Sequence, residues 1–136
     1  MFYNVEAKKI AGAGNTDIEC LFITKKKKFA VEAKSTKNKL LNINSGRLDR
    51  HREKIGGEYT IVITPRYVPS VKYDIKTSNI VIITASTFSE YLYNHIINDI
   101  RDIDYEEFDR IIIQHLGKDI SPLISDLTLQ KFAANN

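Results

Sequence analysis

Apolar residues recur along this chain with two different periods. Asp17 to Thr24 (DIECLFIT) and Lys28 to Ser35 (KFAVEAKS) are short, β-branched and aromatic, and predict two strands joined by a turn through Lys25–Lys28. EYTIVITP (58–65) and NIVIITAS (79–86) are nearly unbroken apolar runs, the pattern of strands buried on both faces, and Pro65 stops the first. A polar connection, 36–46, leads to a helix from about Gly46 to Ile55, with Ser45 as its expected N-cap and Gly56-Gly57 as its end. Residues 70–77 form a short helical turn. After the last strand the period lengthens to that of a helix. Thr87 to about Asp99 sets Phe88, Tyr91, Leu92, His95 and Ile96 on one face. Tyr105 to Leu116 closes at Gly117, and a last helix after Pro122 spaces Leu123, Leu127 and Phe132.

An antiparallel hairpin, a helix, then two apolar strands separated by a crossover imply an α/β fold with a mixed β-sheet flanked by helices. At 136 residues the chain suits one domain, 1–136, with one core. No apolar run is long enough to span a bilayer, and the N-terminus lacks the layout of a signal peptide. The lone cysteine, Cys20, lies in an apolar alternating stretch and reads as a buried small hydrophobe, and the expected compartment is cytoplasmic. Charge changes the picture more. Residues 1–54 carry thirteen Lys or Arg against six Asp or Glu, and residues 55–136 carry seven against eleven. That asymmetry points to a polyanion facing one side of the molecule.

The strand reading makes one stretch peculiar. In FAVEAKST (29–36), Glu32 and Lys34 lie two apart and therefore share a strand face, with Val31 and Ala33 on the other. A solvent-exposed ion pair is the simplest account of an isolated E-x-K. The preceding strand adds to it. Asp17 opens that strand, and a short hairpin sets its start beside the end of its partner, so Asp17, Glu32 and Lys34 come to one end of the sheet. Two carboxylates suit a hard cation such as Mg²⁺, kept partly hydrated and shared with phosphate oxygens, with the Ala33 carbonyl as a further oxygen donor. The lysine has several open roles: orienting or deprotonating a water, or neutralising developing charge. Other chemistries are absent from the pattern. AGAG (11–14) precedes a strand and so is no dinucleotide fingerprint, and there is no Walker lysine or G-x-S-x-G elbow. His95 and His115 have no spaced Cys/His partners for zinc, and DIDYEEFD (102–109) reads as a loop and the first turn of a helix.

With GAGNTD before one strand and FAVEAKST at the end of the next, the chain resembles the PD-(D/E)xK nuclease core, over about Ala11 to Thr84. Within that superfamily it is most similar to the cleavage domains of type IIS restriction endonucleases, FokI-like and AlwI/BstNBI-like. The resemblance implies a restriction-endonuclease-like core that hydrolyses DNA phosphodiester bonds with Mg²⁺ (or Mn²⁺). It implies Asp17 and Glu32 as metal ligands, Lys34 as the catalytic lysine, and a polar residue of the following helix near the scissile phosphate. His51 is that candidate, while its spacing with Leu48 and Ile55 equally suits a half-buried core-boundary histidine. Lys37, Arg47 and Arg50 are the expected contacts to the DNA backbone. The family's usual N-terminal helix with an extra acidic residue has no room in the sixteen residues before Asp17, and Glu6 reads as a surface glutamate. The expectation is therefore a cleavage domain excised from a larger enzyme, partnered by DNA, a second nuclease domain and a separate target-recognition domain. Two other outcomes fit the same fold: a Holliday-junction resolvase-like nuclease, and a catalytically silent DNA-binding or assembly module.

Overall fold

Strand-forming side chains dominate the sheet. In the computed structural model, which describes residues 2–10, 12, 16–34 and 37–133, the strands β1 (Val5–Lys9), β2 (Ile18–Phe22), β3 (Lys27–Ala33), β4 (Gly57–Thr64) and β5 (Ile80–Thr84) lie side by side in that order. β1, β2 and β3 pair antiparallel, and β3, β4 and β5 pair parallel, so the sheet is mixed as expected. Five helices complete the α/β arrangement: α1 (Ser45–Ile55), α2 (Val71–Asp74), α3 (Ala85–Ile97), α4 (Glu106–Gln114) and α5 (Ser121–Phe132).

Alternation along the strands makes two different cores. One face gathers Phe22, Phe29, Tyr59, Ile61, Val81 and Ile83 under α3, α4 and α5, whose Tyr91, Phe108, Ile112 and Ile124 fill the space. Phe29 stacks between Tyr59 and Tyr105, with ring centroids 5.1 and 5.0 Å away. The opposite face is aliphatic: Val62, Ile80 and Ile82 meet Leu48 of α1, and Val71 and Ile75 at α2. Full burial of Leu48 alone contributes about 1.5–3 kcal/mol and fixes α1 over the end of β3 and β4.

Three features depart from the sequence expectations. β1 was not foreseen: its pattern offers only Val5 as a partly buried apolar residue, and pairing with β2, not periodicity, makes it a strand. Asn44, not Ser45, caps α1, its side chain accepting from the Arg47 N–H at 3.0 Å. The hairpin closes through a short 3-10 turn, Ile23–Lys25, followed by Lys26 in the left-handed conformation (φ 53). Gly56 ends α1 as expected, at φ 71, donating its N–H to the Arg52 and Glu53 carbonyls.

Candidate active site

Register decides what meets at the open end of the hairpin. Ile18 lies opposite Val31, so one step outward Asp17 comes opposite Glu32. The Asp17 carboxylate accepts the Ala33 N–H at 2.8 Å, which ties the entry of β2 to the exit of β3. In an extended strand a residue's carbonyl points to the same side as its own N–H, so the Ala33 carbonyl also faces β2. The ladder to β4 runs one residue beyond β3: the Lys34 N–H donates to the Ile63 carbonyl at 2.8 Å. The Lys34 ammonium, partly exposed, lies 3.5 Å from Glu32 Oε2. The structure thus brings Asp17, Glu32, Ala33 and Lys34 together at one sheet end.

Glu32 sits beneath α1 and is only 5% exposed. A bare carboxylate there would be costly. Arg47, in the first turn of α1, neutralises it: Nη2 donates to Oε1 at 2.7 Å and to Oε2 at 2.6 Å. Sequence reasoning placed Arg47 among backbone-phosphate contacts and missed this pairing. The bond spans fifteen positions and follows from how α1 lies on the sheet, which no local spacing announces. Arg50 and Lys37 are exposed, and the Lys37 carbonyl accepts from Arg66 Nη2 at 3.1 Å.

His51 is 5% exposed and reaches across to the residue before Asp17. The Thr16 N–H donates to its Nδ1 at 3.3 Å, so that nitrogen carries the lone pair and the ring proton sits on Nε2. The Thr16 hydroxyl, 2.6 Å from the same nitrogen, then donates as well. Burial, then the Lys54 charge, holds this imidazole below its ordinary value, with Arg47 adding and Glu19 and Glu32 opposing. Thr16, buried at 1% exposure, was not singled out in the sequence, and it is the link by which α1 fixes the position of Asp17.

The donors at this sheet end are all oxygen: two carboxylates and a peptide carbonyl. That set suits a hard divalent cation that keeps several waters. Among the described residues no group of three or more His, Cys, Asp and Glu side chains forms a closed metal site. Each Glu32 oxygen accepts one contact from Arg47 Nη2 and keeps a second lone pair, so the carboxylate can be held by the guanidinium and still offer an oxygen to an ion.

The chain is 62% identical over 132 residues to the type II restriction enzyme HgaI of Avibacterium volantium. The match takes in 97% of this chain and 27% of that enzyme, so the chain spans about a quarter of the relative's length. No family model matches the chain. No solved structure matches it either.

Proposed function

We propose that this chain is the DNA-cleaving domain of a restriction endonuclease, of the type IIS kind within the PD-(D/E)xK superfamily, hydrolysing phosphodiester bonds with Mg²⁺ or Mn²⁺. The observation that carries this reading is the meeting of Asp17, Glu32 and Lys34 at one end of the β2–β3 hairpin, in a chain 62% identical to a protein named as a type II restriction enzyme. Asp17, Glu32 and the Ala33 carbonyl are the groups that would hold the ion. When bound, the ion supplies a water of lowered pKa and positive charge for the phosphate oxygens.

The chain's own residues do the rest. Lys34 places an ammonium at the edge of the site, where it orients the attacking water or stabilises the charge that develops on the phosphate. His51 is a positioning residue that fixes Thr16, and through it Asp17. Arg47 holds the Glu32 carboxylate in place. Arg50 and Lys37, both exposed, are the cations offered to the DNA backbone. Target recognition belongs to sequence the chain does not cover, and a second nuclease domain cuts the other strand of the duplex. The reading includes a cytoplasmic location, for which a single cysteine buried as a small hydrophobe is suited.

Plasmid nicking tests the reading. Supercoiled DNA incubated with the chain and Mg²⁺ is expected to relax, and Asp17→Asn, Glu32→Gln or EDTA is expected to abolish relaxation. A parent chain that leaves the plasmid intact, or carboxamide variants that cut as well as the parent, would refute it.

A further inference from the structure

The half-chain charge count hides a second basic surface. Lys72, Lys76 and Lys118 belong to the half of the sequence that is net acidic, yet they line one open groove of about 670 Å³ with the exposed Tyr73. The groove runs between α2 and the segment 116–119, which lies along the β5 edge through the Ile82–Asp119 bridge. Gly117 allows the two walls to approach: at φ 81, a Cβ on it would fall 2.5 Å from the Lys76 carbonyl oxygen. The carboxylates nearby are already engaged. Asp119 accepts from the Tyr67 hydroxyl and, at 2.8 Å, from the Ser121 N–H, and Asp74 accepts from the Ile43 N–H at 2.9 Å. Among the described residues the three ammonium groups make no ion pair or hydrogen bond.

The groove also lies within reach of the candidate active site. Ile63 receives the Lys34 N–H, and Pro69 at the groove lip follows six residues later, so the near lip of the groove lies no more than about 22 Å from Ile63, with the lysines beyond it. At 3.4 Å per base pair along a strand, the near lip is at most about six base pairs away. Arg66 and Lys37, joined by their hydrogen bond, are exposed on the intervening stretch.

We propose that this groove binds the sugar-phosphate backbone of duplex DNA a few base pairs from the bond to be cut, with Lys72, Lys76 and Lys118 each on a phosphate. The proposal rests on DNA being the substrate, but it needs neither a bound ion nor cleavage. Its specificity is for the polyanion, not for base sequence. The groove anchors the duplex at a second point and so fixes its direction across the sheet end.

The test is binding of a fluorescent 20-base-pair duplex in EDTA, by anisotropy over a range of salt. The full chain is compared with Lys72→Gln/Lys76→Gln/Lys118→Gln and with a control of equal charge loss, Lys8→Gln/Lys9→Gln/Lys26→Gln, at exposed positions outside the groove. The parent is expected to bind with a Kd of about 1–100 µM. The groove variant is expected to lose about tenfold or more, with the slope of log K against log salt reduced by about two to three, while the control stays within about twofold. A groove variant that binds like the parent, a control that loses as much, or a parent with no binding at about 100 µM would overturn it. A parent that nicks plasmid while the groove variant binds normally sinks the groove alone. A parent that binds through the groove and does not cut sinks the nuclease reading and leaves the groove.

Discussion

Replacing Arg47 by methionine probes how the candidate site is held before any ion or DNA arrives. The change removes both hydrogen bonds to Glu32 and leaves a carboxylate that is 5% exposed, with Lys34 at 3.5 Å as its ion-pair partner among the described residues. Removing one member of a buried pair costs about 3–5 kcal/mol. Here the Arg47 side chain is 26% exposed, so water reaches the vacated space and Lys34 compensates in part. The expected loss is therefore about 2–3 kcal/mol. Urea unfolding followed by far-ultraviolet circular dichroism gives the number, provided the slope with urea is unchanged. A double-mutant cycle with Glu32→Gln isolates the pair, and a coupling of about 2 kcal/mol is expected. Coupling below about 0.5 kcal/mol would mean a solvated surface contact and would refute the argument that Glu32 depends on Arg47 for its burial.

Two further perturbations test the framework around the site. Asp109 is fully buried and accepts from Lys27 at 3.1 Å and from the Tyr59 hydroxyl at 2.8 Å. Asp109→Ala strands both donors and is expected to lower the thermal midpoint by about 10 °C, whereas a shift under about 3 °C would show the network to be dispensable. His51 and His95 are both held below the ordinary imidazole value, by burial first in each case, with Lys54 acting on His51 and Lys131 on His95. The unfolded chain then binds the proton more readily than the folded one. Stability is present above about pH 6.5 and is lost as pH falls through the unfolded value toward the lower folded ones. The expected slope is up to about 1.4 kcal/mol per pH unit for each histidine, and a His51→Gln/His95→Gln chain whose stability falls as steeply between pH 7 and 5 would contradict this.

How much of this could be seen in the sequence depends on how local each cause is. β4 and β5 are continuous β-branched runs, and such segments announce themselves. Asp17, Glu32 and Lys34 were legible for a similar reason: the period of a strand puts Glu32 and Lys34 on one face, and a short hairpin returns that face to the start of its partner. β1 was not legible, because an edge strand with four exposed residues of five has little alternation to read. Asn44 and Ser45 are both good caps, and only the backbone chooses between them. Arg47 looked like one of several basic residues on a helix; its bond to Glu32 spans fifteen positions and follows from how α1 lies on the sheet. Asp109 shows the same limit. In DIDYEEFD it resembles any carboxylate in the first turn of a helix, and its burial depends on Lys27 and Tyr59, far away in the chain. Cys20 was read correctly from local pattern: it is buried, and burial with the adjacent Glu19 pushes its thiol up to about 11.

The central claim is that Asp17 and Glu32 together form one divalent-cation site. Calorimetric titration of the chain with Mn²⁺ tests it most directly, beside Asp17→Asn and Glu32→Gln variants shown to be folded by circular dichroism. The account predicts one ion per chain, with affinity reduced at least about tenfold by either substitution, since each removes one of two carboxylate ligands. Variants that both take up the ion as the parent does would contradict it.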